Sequence, residues 1–201
     1  MTDNVATRVK ILEAARERFL HYGYSKTTMS EVARDCEMSA GNIYRFFASK
    51  LDIAEAMATK FNAEAYTKFK AIANKKSPAP DRLYEFFSYA LEQTYEAIEA
   101  DAKILEIAEI LRKERPDFFN AHLAAERVFI ETILNDGMEA GVFRNLPEPL
   151  FTAEMIQAAL MKFRFPQTYS QQKLDKLRYE ITGVISLILS GLSASATEYE
   201  L

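Results

Sequence analysis

The chain of 201 residues contains no tryptophan, one cysteine, two histidines, six glycines and six prolines. The lone Cys36 cannot close a disulfide within the chain. His21 and His122 stand far apart in no ligand spacing, so no metal site is expected. The sequence also lacks a Ser/His/Asp or Cys/His constellation, paired carboxylates at a motif spacing and a phosphate-cradling glycine loop. An enzyme is therefore not expected, no catalytic residue is nominated and no cofactor is required. No run of about 18 apolar residues is present to span a membrane, and the N-terminal MTDNVATRVK has no apolar stretch of the kind that directs secretion. These absences lead to the expectation of a cytoplasmic protein that does not engage a membrane.

The composition is 49% hydrophobic and 27% charged, as in an ordinary globular protein with enough apolar side chains for a packed core. A net charge of −4 is unpromising for a nucleic-acid binder, so its distribution matters more than its sum. Residues 1–60 carry 9 Lys and Arg against 8 Asp and Glu, and residues 61–201 carry 16 against 21. The balance turns positive only in the first segment, and only slightly. Any DNA contact there has to come from placed side chains, because the overall field repels a phosphate backbone.

Apolar residues recur with helical spacing throughout, and no alternating strand or internal repeat stands out, so the fold class is all-α. A first helix is expected over residues 4–22, with Val5, Val9, Leu12, Ala15 and Phe19 on one face and Gly23 as its left-handed terminator. Thr28 and Glu31 form a capping box for a second helix whose apolar stripe is Met29, Val32, Ala33 and Cys36. Ser39 caps a third helix expected to reach Phe47, and Ser49 with Asp52 opens a long fourth helix over residues 50–73. The prolines of NKKSPAP break the pattern at residues 74–80. Further helices are expected at about residues 81–101, 102–114, 116–140, 148–163 and 170–194.

Two short helices joined by a tight turn have a recognisable logic. Val32, Ala33 and Cys36 pack from the second, Met38 plugs the turn, and Ile43 with Phe46 or Phe47 packs back from the third. Ala40, Gly41, Asn42, Tyr44 and Arg45 then remain outward. Asn and Arg are the side chains suited to adenine and guanine edges in the major groove. The same residues would also serve as the solvated face of a plain helical hairpin, and spacing alone leaves both readings open.

The segment TTMSEVARDCEMSAGNIYRFFASKLDIAEAM resembles the N-terminal DNA-binding segment of TetR-type transcriptional regulators. The Thr-Thr pair, the Ser-x-Gly-x-Ile-Tyr-x-x-Phe core and the Ser-Lys that opens the fourth helix carry the resemblance, which spans roughly residues 8–57. It implies a helix-turn-helix DNA-binding domain over residues 1–52 and a larger helical ligand-binding and dimerisation domain over residues 53–201, bridged by the fourth helix. It further implies a homodimer that binds double-stranded DNA at a palindromic operator and answers to a small apolar or aromatic effector, expected to act as a repressor. By position, Asn42 and Arg45 become base readers, Ala40 and Gly41 allow close approach, and Ser39 opens the recognition helix. Tyr44, Thr28 and Lys50 become backbone contacts and Arg8 an N-terminal arm contact. Two positions depart from the family pattern: Glu37 stands where glycine is common in the turn, and Ala40 where lysine is often found. An adaptor for another protein, or an enzyme without DNA binding, remains the alternative.

The rest of the chain is less explicit. Leu174, Leu177, Ile181, Val184, Ile185, Ile188 and Leu192 form a broad stripe on the last helix, with Ile156 and Leu160 on the one before it. This is expected to be a dimer interface built as a four-helix bundle, the alternative being ordinary core packing. Tyr84, Phe86, Phe87, Tyr89, Tyr95, Phe118, Phe119 and Phe129 are suited to line an effector cavity or simply to fill a core, and none is assigned a contact. Cys36 reads as a small core residue, and His21 as a favourable residue at a helix C-terminus.

Overall fold

The computed structural model describes residues 2–165 and 172–195. The regular elements among them are helices, as the periodicity anticipates. The elements are α1 (Thr2–Tyr22), α2 (Met29–Asp35), α3 (Ala40–Ile43), α4 (Lys50–Ala73) and α5 (Ala79–Ala100). They continue with α6 (Lys103–Glu114), α7 (Pro116–Glu139), α8 (Pro149–Ala159), α9 (Met161–Arg164) and α10 (Leu174–Leu192). Extended pairing among the described residues is one antiparallel bridge, Phe143 with Ser193. The expected start of the last helix at residue 170 lies outside the described residues.

Local chemistry sets most boundaries. Gly23 ends α1 at φ +94°, a conformation that suits a residue without Cβ. The Thr28 hydroxyl accepts from the Glu31 N–H while the Glu31 carboxylate accepts from the Thr28 N–H, so the capping box opens α2 as expected. Ser49 caps α4 by accepting from the Asp52 N–H at 3.1 Å, and the Asp52 carboxylate is taken by Arg115 at 2.6 Å.

Two helices differ from expectation. The third is a single turn, because Tyr44–Phe46 tighten into three-residue steps, Arg45 N to Asn42 O and Phe46 N to Ile43 O, and the chain opens before Ser49 caps the next helix. The expected helix over residues 148–163 is two, since Leu160 leaves helical geometry at φ −100°, ψ 9°. Apolar spacing runs unbroken through that point, so no pattern announces the break.

The chain forms two compact units. One comprises Met1–Glu64 with Ile98–His122, the other Ala65–Ala97 with Leu123–Leu201. The division differs from a cut at residue 52, because α6 joins the N-terminal helices. In the first unit Ile11, Ala15, Phe19, Val32, Ile43 and Ile53 are buried around one core, to which α6 adds Ile107 and Leu111. The expected face of α1 is corrected here. The buried line is Ile11, Ala15 and Phe19, while Val5 and Val9 are 64% and 43% exposed because the 3.6-residue turn carries them off that line.

In the second unit Phe69 stacks on Phe86 with ring centroids 4.2 Å apart, inside a core that includes Leu83, Leu91, Ile130, Ile133 and Leu134. The stripe assigned to the dimer interface also belongs to this core. Ile156, Leu160, Leu177, Ile181, Ile185 and Leu192 are buried within the single chain, and Leu174, Val184 and Ile188 pack partly buried against them. Core packing accounts for the stripe, which the helices of the same unit cover. Large apolar side chains left outward include Leu150, Phe151 and Met155 at α8 and Tyr179 and Leu187 on α10, besides Tyr84, Val128 and Val142 elsewhere in the unit.

Candidate nucleic-acid interface

The site grows from the turn between α2 and α3. Glu37 occupies it at φ 58°, the left-handed geometry that glycine adopts freely, and its N–H donates to Arg34 O. Met38 follows, half-buried against the core, and its N–H returns to Ala33 O at 3.0 Å. Ser39 then caps α3, accepting from the Asn42 N–H at 3.2 Å. Ile43 and Phe47 are buried at 0% and 3%, which anchors the one-turn helix from beneath. Ala40, Gly41, Tyr44 and Arg45 are exposed and Asn42 is half-exposed. A Cβ at Gly41 would meet no atom of the chain within 4 Å, so the small surface there answers no internal packing need.

Ion pairs tie α1 to α2. The Arg18 guanidinium is paired with Asp35, to which its Nη2 donates at 3.0 Å, and lies 3.5 Å from Glu31. The pairing with Arg18 holds the Asp35 carboxyl below its ordinary range, and the bonds from Thr28 do the same for Glu31. Arg8 reaches from α1 to the end of the recognition turn. Its Nη1 donates to Phe46 O at 2.5 Å and its guanidinium carbon lies 4.1 Å from the Phe47 ring centroid.

Lys50 is turned inward. Its ammonium donates to Tyr24 O at 2.7 Å and Thr27 O at 2.8 Å and sits 4.2 Å from the Tyr24 ring centroid. Burial lowers its pKa, the charges of Glu106 and Glu31 opposing. Two of three ammonium donors thus hold the segment between α1 and α2 in place. Thr27, buried, donates its hydroxyl to Gly23 O and closes the same segment.

Sequence reasoning missed the contribution of α6. Glu106 accepts from the Tyr24 N–H at 3.2 Å, the Ser25 N–H at 3.0 Å and the Ser25 hydroxyl at 2.6 Å. The Ser25 hydroxyl is the chief reason its carboxyl titrates low, with the two N–H groups and Lys50 adding to it. Lys103 donates to Leu20 O and His21 O, covering the last carbonyls of α1. Arg115 bridges Asp52 and Glu55 at the start of α4. These partners lie 60 to 83 residues apart in sequence, and no local motif signals them.

A buried capped helix, a tight turn and a one-turn helix that presents Asn, Tyr and Arg outward define a helix-turn-helix of the DNA-binding kind. Family comparison carries this further. The family described as "Bacterial regulatory proteins, tetR family" matches residues 11–57, and "Tetracyclin repressor-like, C-terminal domain" matches residues 79–185. The chain belongs to the TetR family of transcriptional regulators. The HTH-type transcriptional regulator YhgD of Bacillus subtilis is 25% identical over 194 residues, covering 92% of this chain and 96% of that one. Two solved structures share the fold. A TetR-family transcriptional regulator from Pectobacterium atrosepticum superposes with a TM-score of 0.74 at 18% identity, covering 98% of this chain and 99% of that one. Thermus thermophilus FadR, a TetR-family repressor solved with lauroyl-CoA, gives 0.70 at 20% identity, covering 96% and 97%.

Proposed function

We propose that this regulator is a homodimeric repressor that binds a palindromic operator and is released by a small apolar or aromatic effector. Asn42 and Arg45 read base edges, Ala40 and Gly41 admit the helix deep into the major groove, and Ser39, Tyr44 and Thr28 hold the phosphate backbone. Arg8 and Lys50 act first on the fold, by fixing the recognition turn and the segment before α2, and offer their remaining N–H donors to phosphates. Residues 1–52 serve as the DNA-binding domain and residues 53–201 as the effector and dimerisation domain, with α4 shared between them.

One observation carries the reading: Ile43 and Phe47 are locked into the core while Tyr44, 53% exposed, and Arg45 project from the same turn. A rigid base beneath exposed Asn, Tyr and Arg is what a base reader needs. The dimer is supported by a different set of residues from the buried stripe. Leu150, Phe151, Met155, Tyr179 and Leu187 stay exposed on α8 and α10, and a second copy would cover them. A single one-turn helix also contacts few base pairs, which a two-fold axis doubles. Effector release is supported by the ligand in the FadR complex, and an effector acts by favouring the conformation that binds DNA less well, typically with about 1–3 kcal/mol of coupling.

The test compares variants on a selected operator and on random duplex. Arg45→Ala is expected to cost about 1–3 kcal/mol on the operator and to relax preference at one base pair per half-site. Lys50→Ala is expected to weaken both duplexes alike and to lower the melting temperature. Equal losses on both duplexes for Arg45→Ala would overturn its assignment as a base reader.

A further inference from the structure

Residues 23–28, which carry the chain from α1 to α2, form no helix of their own, and their backbone is held by two distant side chains of opposite charge. Lys50 of α4 donates to the carbonyls of Tyr24 and Thr27 at 2.7 and 2.8 Å. Glu106 of α6 accepts from the N–H groups of Tyr24 and Ser25 at 3.2 and 3.0 Å and from the Ser25 hydroxyl at 2.6 Å. The carboxylate comes close to the chain: a Cβ on Gly23 would stand 3.2 Å from Glu106 Oε2. Lys103, three residues earlier on α6 and so on the same face, donates to Leu20 O and His21 O at the end of α1. The helix thus grips the chain on both sides of Gly23.

A carboxylate is a costly choice for this place. The contribution of α6 to the core comes from the neighbouring Ile107 and Leu111. A negative charge in a unit that meets DNA weakens the attraction of every phosphate. What Glu106 offers in return is directional: three bonds to one short segment, each strengthened by the charge. Thr28 follows directly, caps α2, and is among the residues placed on the phosphate backbone.

We propose that Glu106 is a positioning residue for operator recognition. By holding the two N–H groups and the hydroxyl ahead of Thr28, it fixes the start of α2 and, through the tight turn, the height at which Asn42 and Arg45 meet the bases. Direct readout needs that placement, because a recognition site works only within about 0.5 Å of its productive geometry. A random duplex is drawn by charge alone and does not need it. Without the tether the segment has to be ordered as the operator binds, so the cost falls on the specific complex. This rests on the reading of the chain as an operator-binding regulator and adds to it a residue that acts without touching DNA.

The experiment measures the full chain and its variants on a selected operator and on random duplex of equal length, well below the melting temperature, with circular dichroism to check folding. By charge alone, Glu106→Gln would bind both duplexes more tightly, since a repelling carboxylate is gone. The expected result has the opposite sign on the operator. Affinity there falls at least roughly tenfold, the equivalent of one lost hydrogen bond to a charged group, while random duplex binds as before or slightly better. Ser25→Ala, at an exposed position, is expected to lose severalfold on the operator, and Ser25→Thr, which keeps the hydroxyl, to lose nothing. Ile107→Val weakens the core beside Glu106 without touching the tether, and is expected to lower the melting temperature with operator affinity unchanged. An operator affinity that stays or rises in Glu106→Gln, or in Ser25→Ala if the glutamine variant does not fold, would overturn the proposal. So would a loss equal on both duplexes, or the same loss in Ile107→Val. An unaltered chain that prefers no duplex would instead refute the operator reading on which the proposal rests.

Discussion

Glu37 holds a backbone conformation that costs an L-residue about 1 kcal/mol relative to glycine, and its side chain offers little in return. Its nearest opposite charge is Lys10 at 3.9 Å, with both side chains exposed, a pairing of negligible value. Glu37→Gly is therefore expected to raise stability by about 1 kcal/mol in urea denaturation, with the slope of the transition unchanged. A loss of stability would show that the turn draws something from the glutamate side chain. This position was legible in the sequence, because a turn between two capped helices demands a left-handed residue whatever occupies it. Lys50 was legible only in part. Its place at the head of α4 is plain from Ser49, but nothing local says that its ammonium turns back to the carbonyls of Tyr24 and Thr27.

Among elements, α6 is the one whose role the sequence concealed. A 12-residue helix with a strong apolar side reads as any amphipathic helix, and Ile107 and Leu111 indeed face a core. That this core is the one beneath the recognition turn depends on contacts some 80 residues away in sequence, where periodicity is silent. Glu106 makes the connection testable through pH. Its carboxyl titrates lower folded than unfolded, so it adds stability above the unfolded value, near pH 4.3, and loses it as pH falls through the folded value. Glu106→Gln is expected to lower the melting temperature at neutral pH and to flatten the decline between about pH 5 and pH 3. An unaltered decline in a folded variant would remove Glu106 from the acid sensitivity of this unit. The Thr28–Glu31 capping box, the Ser49 cap and Gly23 show the opposite case: these residues act within a few residues of themselves, so the boundaries of α1, α2 and α4 were readable from sequence.

For the whole molecule, the stripe of α10 illustrates the limit of periodicity. Ile181 and Ile185 repeat at helical spacing, which says that the face is covered but not by what. The structure covers them within the chain. A charge at each face separates the two roles. Ile185→Glu is expected to unfold the second unit, whereas Leu187→Glu, at a position 75% exposed, is expected to keep the helical spectrum and convert a dimer to a monomer in light scattering. A folded Leu187→Glu dimer would move the interface elsewhere. The proposed two-fold pairing would have a further consequence for DNA, because it would place two recognition helices on one face of the duplex about 34–36 Å apart, or a multiple of it. The most direct measurement is selection of bound duplexes from a random pool, with sequencing of those retained. The expected result is a palindrome whose two half-sites lie about 10 base pairs apart, centre to centre, or further by whole helical turns, lost from the retained pool when Asn42 and Arg45 are both replaced by alanine. Recovery of no consensus, or of a consensus indifferent to that double substitution, would contradict recognition by α3.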